Sequence, residues 1–203
     1  MKAELSSTPN DVAILAERCL VHVKNRIGLE LDYQSETLSV IDFFVQDVMK
    51  EEGGGALPPV GDHRRADMIH LFAPSIGAYF GEVVRNVFPC RWRVASEDPR
   101  NWQLEFDTVP LRFSPIGAAA EALAEESLET WSGAIATSKS ETAALAERLG
   151  AAPPVPEDEF FALTTRFEVL QIAVEWLRIH LDGQDTPPPA FFSPEDYDQI
   201  FES

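Results

Sequence analysis

The spacing of apolar residues changes between residues 90 and 113, and this change constrains the fold more than any other feature of the chain. Apolar and polar side chains alternate through CRWRVAS and again through WQLEFD, and the turn-forming residues EDPRN separate the two runs. Successive side chains point to opposite faces of a strand, so the two runs predict an antiparallel hairpin with one buried face. Residues 109–113 predict a third strand beside it.

Helical spacing dominates the chain on both sides of this hairpin. Helices are predicted over residues 8–28, 35–53, 63–88, 115–126, 138–150 and 157–181, with a short helix after Ser193. Thr8 is the expected N-cap of the first helix, and Pro74 predicts a kink or a new helix start in the third. The run GLELDY predicts a short strand. The predicted class is α+β, a helix-rich single core with a three- to four-stranded antiparallel sheet flanked by helices.

A proline-containing connector, AAPPVP, predicts a boundary near residue 150. Residues 1–150 are expected to form the α+β main domain, and residues 151–203 a long apolar helix and a short acidic C-terminal helix that dock on it. The long helix carries two apolar stripes, which favours burial inside its own chain. A homodimer through residues 160–181 is the alternative to a monomer. One stripe comprises Phe160, Leu163, Phe167, Leu170, Val174, Leu177 and Leu181, and the other Val169, Ile172, Trp176 and Ile179.

The net charge of the chain is −18, from 34 acidic and 16 basic residues. The last 53 residues hold 11 acidic residues and two basic ones, so the negative charge is densest there. Such a field repels nucleic acid and anionic membranes and favours a basic protein partner, although solubility alone also explains it. The chain has no apolar run long enough to span a membrane, and residues 1–10 do not resemble a signal peptide. We therefore expect a cytoplasmic protein.

The motifs of known catalytic and metal sites are not found. The sequence has no phosphate-binding glycine loop, no nucleophile elbow and no histidine pair with zinc-site spacing. Its two cysteines, Cys19 and Cys90, lie far apart, which does not indicate a disulfide framework or a thiolate metal site. No catalytic residue, metal or cofactor is therefore assigned.

The most distinctive segment is SIGAYFGEVVR, residues 75–85. Gly77 and Gly81 lie beside a wide apolar stripe, and small residues four apart allow another backbone to approach closely. Tyr79 and Glu82 line a polar edge of the same helix. Glu82 could act as a general base or hold an arginine such as Arg91 or Arg93. The alternative is a carboxylate that fixes the helix against the sheet, and Tyr79 has the same alternative.

Arginines also gather around the hairpin, where Arg91 and Arg93 flank Trp92. They could form an anion-binding surface, but acidic residues share the same strands and favour internal ion pairs. The candidate binding or structural polar site therefore consists of Tyr79, Glu82, Arg91, Trp92 and Arg93.

Three segments together resemble a known group of domains: LDYQSETLSVID, GAYFGEVVR followed by Trp92, and PLRFSPIGAAAEAL. They are similar to a group of uncharacterised bacterial domains with LDYSxxSLxxLD-like and GAYLGEV-like motifs, over residues 29–125. Gln34 and Ser114 depart from the serine and asparagine of that group. The resemblance implies a bacterial protein with an α+β domain, and it implies no activity.

Three functional hypotheses follow. The first is a non-enzymatic protein-binding module, for example one with an immunity- or antitoxin-like role that neutralises a basic partner. The second is an enzyme with a non-obvious site around Glu82, Tyr79 and the hairpin arginines. The third is a structural protein that oligomerises through its long C-terminal helix.

Overall fold

A computed structural model describes residues 7–50, 63–184 and 189–201. These residues form seven α-helices and one four-stranded antiparallel sheet, which confirms the α+β class. The helices are α1 (Asn10–Ile27), α2 (Leu38–Met49), α3 (His63–Val87), α4 (Pro115–Ala124), α5 (Thr142–Gly150), α6 (Leu163–Asp182) and α7 (Pro194–Phe201). The strands are β1 (Cys90–Arg93), β2 (Gln103–Phe106), β3 (Leu111–Phe113) and β4 (Ala136–Thr137). The glycines predicted to end the second helix, residues 53–55, lie outside the described residues.

The sheet is a simple meander in the order β1-β2-β3-β4. The predicted hairpin and third strand are confirmed, with Trp92 opposite Leu104 and Leu104 opposite Phe113. These residues are buried, and alternation sends Arg91 and Glu105 together to the other face. The added strand β4 is only two residues long and pairs with β3.

The central element is α3, which packs most extensively against α4 and α1. Its residues from Ala73 to Arg85 are nearly all buried. The helix continues through Pro74, so the predicted new start does not occur. Proline removes the N–H that would bond to the carbonyl of His70, and His70 is at the exposed surface, where water can satisfy that carbonyl.

Gly77 and Gly81 let two neighbours approach α3 closely. A Cβ on Gly77 would lie 2.7 Å from the backbone nitrogen of Ile116, at the start of α4. A Cβ on Gly81 would overlap the indole ring of Trp92. The predicted close packing therefore involves a helix at one glycine and the sheet at the other.

Three local predictions were wrong. Residues 28–34 form no regular strand, although Gly28 does end α1 in the left-handed conformation, with φ 73°. Thr8 does not cap α1, because its hydroxyl bonds to Glu82 instead. The long C-terminal helix begins at Leu163 rather than near residue 157, because Asp42 of α2 accepts bonds from the backbone nitrogens of Leu163 (2.7 Å) and Thr164 (3.1 Å) and so caps it there.

The predicted arrangement of two buried stripes on α6 was also wrong in part. The first stripe is buried from Leu163 to Leu181, but Phe160 precedes the helix and is half-exposed. In the second stripe Val169, Ile172 and Trp176 are half-buried, and Ile179 is exposed.

The C-terminal helix α7 lies against the sheet. Tyr197 is fully buried, and its hydroxyl lies 2.7–2.9 Å from the carbonyl oxygens of Phe106, Val109 and Leu111. It also accepts a bond from the backbone nitrogen of Leu111. Residues 151–201 therefore contact the first 150 residues through α6 and α7, while the division of the chain near residue 150 stays a prediction.

Candidate functional site

Glu82 lies at the junction of α3 and β1, and fixed donors occupy both of its carboxylate oxygens. The Trp92 indole nitrogen donates to Oε1 at 2.6 Å, and the Thr8 hydroxyl donates to Oε2 at 2.7 Å. The Arg85 guanidinium lies 3.0 Å from both oxygens. A carboxylate surrounded by three permanent donors has little capacity to take a proton from a substrate. The arrangement is that of a structural anchor between helix and strand.

The arginine that pairs with Glu82 is Arg85, one turn along the same helix, and not Arg91 or Arg93 as the sequence suggested. The reason is the alternation of β1, which points Trp92 towards α3 and both flanking arginines to the opposite face. The side chain of Arg85 is 7% exposed and that of Glu82 is 18% exposed. The two therefore form a largely desolvated ion pair.

Tyr79 belongs to a separate polar cluster one turn earlier on α3. Its hydroxyl lies 2.6 Å from the Thr37 hydroxyl and accepts a bond from the backbone nitrogen of Tyr33 at 3.1 Å. Its ring stacks on that of Tyr33, with centroids 4.9 Å apart. Burial raises the pKa of Tyr79 despite these bonds. The cluster holds the loop between α1 and α2 against α3.

Tyr33 is the one strained residue of this cluster, because its φ of 62° is unusual for a non-glycine residue. The side chain of Asn86 donates to the Tyr33 carbonyl at 3.1 Å, which helps to hold this conformation. Burial, followed by the charges of Glu17 and Glu82, raises the pKa of Tyr33 to about 12.

A small cavity of about 260 Å³ lies between these two clusters. Glu17, Tyr33 and Glu82 line it, together with Thr8, Ala13, Ala16 and Asn86. The hairpin arginines do not reach it, so the open pocket that the enzymatic hypothesis requires, lined jointly by Glu82, Tyr79, Arg91 and Arg93, is not formed. The chemistry available in the cavity is that of one exposed carboxylate, Glu17, and one half-buried phenol.

Arg91 and Arg93 lie on the opposite face of the sheet, where they form an ion-pair network with β2 and α7. Arg91 contacts Glu105 at 3.1 Å and Asp107 at 2.6 Å. Arg93 contacts Glu105 at 3.2 Å and Asp198 of α7 at 2.5 Å. Burial raises the pKa of Asp107, and the neighbouring Arg91 opposes this shift.

Aromatic residues of the C-terminal segment cover this network. The Arg91 guanidinium lies 5.3 Å from the ring centroid of Tyr197, and that of Arg112 lies 4.0 Å from the ring of Phe201. The backbone carbonyl of Phe192 accepts a bond from Arg91 at 2.8 Å. The predicted internal pairing of the hairpin arginines therefore occurs, and α7, which was expected to dock on the main domain, supplies Asp198 as a further partner.

The structure thus divides the five candidate residues into three groups. Glu82 and Trp92 form one, Tyr79 another, and Arg91 and Arg93 the third. Sequence reasoning missed Thr8 and Arg85 as members of the first group. The spacing of Glu82 and Arg85 by three positions on a helix is a signal that identifies such a pair, whereas no local signal points to Thr8, which is 74 positions away.

Two general searches of the described residues gave no further site. No group of three or more histidine, cysteine or acidic side chains among them could hold a metal ion. Within the same ranges, no helix has the length and apolar character needed to cross a bilayer.

Comparison with protein-family models, curated proteins and solved structures gave no significant match. The resemblance to uncharacterised bacterial domains accordingly stays a hypothesis.

Proposed function

We propose that this chain is a non-enzymatic protein-binding module that recognises a basic protein partner through its acidic surface. The observation that carries the proposal is the unequal placement of the charges. Four arginines are largely buried and neutralised locally, and among the exposed side chains of the described residues the acidic ones outnumber the basic ones.

Four arginines with side chains at most 20% exposed each lie within 4.0 Å of a carboxylate: Arg65, Arg85, Arg91 and Arg166. Because these cations are compensated locally, they contribute little to the field outside the protein. Exposed acids are found on most of the helices, including Glu17 on α1, Glu147 on α5 and Glu175 on α6. A surface of this kind accelerates association with a basic protein and repels nucleic acid.

The occupied lone pairs of Glu82 also favour binding over catalysis. An immunity- or antitoxin-like role, in which the chain neutralises a basic partner, is one concrete form of this function.

A pull-down from the native host at low salt and at about 0.15 M salt tests the proposal. We expect a basic protein to be retained at both, with weaker retention at the higher salt. The purified partner should then bind in a titration, with an affinity that falls as salt increases. If no protein is retained at either salt, the proposal fails.

A homodimer through residues 160–181 is the second candidate, favoured by the half-exposed stripe on α6. Ile179, at 61% exposed, is the most exposed member of that stripe. Light scattering over a wide concentration range tests it, and a constant monomer mass would exclude this interface.

A further inference from the structure

A groove beside the N-terminal end of α6 combines an exposed aromatic ring with an acidic lining. It has a volume of about 560 Å³. Its lining comes from α2, from α4 and from the segment of residues 155–162 that leads into α6. We call it the Phe160 groove. It is lined by Asp42, Val45, Gln46, Ala122, Glu125, Val155, Glu157, Asp158, Phe160, Phe161 and Ala162.

Phe160 is held in place although it is 50% exposed. Its ring meets that of Phe161 edge-on, with centroids 5.0 Å apart, and the Arg166 guanidinium lies 5.5 Å from its centroid. Arg166 is itself fixed by Glu121 at 2.9 Å. A ring positioned in this way loses little conformational entropy when a partner covers it.

Phe160 also lines a second cleft of about 520 Å³ on its other side, together with Glu121, Leu128, Glu129 and Arg166. The ring therefore forms a ridge between two concave surfaces. An exposed aromatic residue flanked by pockets is typical of the anchor residues that dominate binding energy in protein interfaces.

The lining of the Phe160 groove is acidic, although Glu125 also lies 4.0 Å from Arg65. Four acids line it, Asp42, Glu125, Glu157 and Asp158, and none of the described residues that line it is basic. Asp42 is committed to the start of α6, and its carboxylate is bonded there. Glu157 and Asp158 are exposed, and the short helical turn Glu157–Glu159 presents them together. No described residue forms an ion pair with either carboxylate, so both can bind a cation from outside.

We propose that the Phe160 groove binds a lysine- or arginine-rich segment of the protein partner. This inference rests on the proposed function and names the surface that performs it. The apolar stem of a basic side chain packs on Phe160 and Val155, and its cationic group reaches Glu157 and Asp158. Charge complementarity selects this occupant, because an acidic or purely apolar segment would leave these carboxylates uncompensated.

The test uses the full chain and a short labelled peptide of alternating arginine and glycine, at about 0.15 M salt to screen diffuse attraction. Phe160→Ala is expected to weaken peptide binding about two- to fivefold. Its matched control is Phe43→Ala on α2, because Phe43 is 52% exposed and does not line the groove. That control should bind like the unmodified chain.

A second pair of variants separates the groove from general charge. Glu157→Gln with Asp158→Asn is expected to weaken binding about fivefold. Glu168→Gln with Glu175→Gln removes the same charge from exposed positions of α6 outside the groove and should change binding by no more than about twofold. Thermal unfolding verifies that all four variants are folded.

The outcomes separate the two proposals. Selective weakening in the groove variants supports the Phe160 groove as the binding surface. Equal weakening in the groove and control variants overturns the groove and leaves the proposed function in place. If the unmodified chain does not bind the peptide at all, the groove proposal fails, and the pull-down alone decides the proposed function.

Discussion

Replacing Glu82 by glutamine removes one negative charge from the junction of α3 and β1 while keeping the size of the side chain and one carbonyl acceptor. Arg85 is then left as a buried cation, with 7% of its side chain exposed. Breaking one side of a buried ion pair costs about 3–5 kcal/mol. Because Glu82 is 18% exposed and glutamine still accepts one bond, we expect a loss of about 3 kcal/mol in the free energy of unfolding.

Urea unfolding measures this loss directly. With a slope of about 2 kcal/mol per molar urea, the midpoint should fall by about 1.5 M. Glu17→Gln is the matched control, because Glu17 lines the same cavity but is exposed. Its effect should stay within about 0.5 kcal/mol. Combining Glu82→Gln with Arg85→Met should recover much of the lost stability, since the buried cation that lost this carboxylate is removed as well.

The reasoning is refuted if Glu82→Gln and Glu17→Gln change the unfolding free energy equally. The carboxylate of Glu82 would then not anchor the helix to the strand. It would be available for chemistry, and the enzymatic hypothesis would regain its central residue.

Gly81→Ala should lower the thermal midpoint by an amount equivalent to about 1–3 kcal/mol, because the added Cβ overlaps the indole ring of Trp92. Gly150→Ala is the control, since Gly150 has open space around it, and this variant should be neutral or slightly stabilising. Cys19 and Cys90 are buried, and burial raises the pKa of both thiols, so a thiol reagent at about pH 8 should modify them only after denaturation. The folded state raises the pKa of Tyr33 from 10.0 to about 12. The contribution of Tyr33 to the free energy of unfolding should therefore be constant below about pH 10 and be lost as pH rises towards 12, with tyrosinate absorbance appearing in step. A normal titration of this residue near pH 10 in the folded protein would contradict this.

The parts of the fold that could be predicted are those with local signals. The hairpin follows from alternation of period two, and the acids on the same strands favoured internal ion pairs with the arginines, as seen where Arg91 lies opposite Glu105. Gly28 ended α1 as expected, because few other residues adopt its left-handed conformation without strain. By contrast, β4 contains only two residues, which is too short to leave a period in the sequence.

The parts that could not be predicted depend on contacts between distant residues. The start of α6 depends on Asp42, 121 positions before Leu163, so the helical pattern alone placed it too early. Thr8 had a plausible local role as a cap, and a distant carboxylate competed for its hydroxyl. The candidate site was divided for a related reason: alternation separates Trp92 from its flanking arginines, but it does not identify which face of the strand packs against α3.

The position of Tyr197 has a consequence for the order in which the chain folds. Its hydroxyl forms hydrogen bonds to backbone groups that lie 86–91 positions earlier in the chain. The strands β2 and β3 are therefore synthesised long before α7. During synthesis the face of the sheet that carries Arg91 and Arg93 therefore remains uncovered until α7 emerges from the ribosome. Contacts of such long range slow folding, and the docking of α7 is expected to be a late step. Until that step, the nascent protein exposes the arginines and acids of this face, which α7 covers in the finished protein.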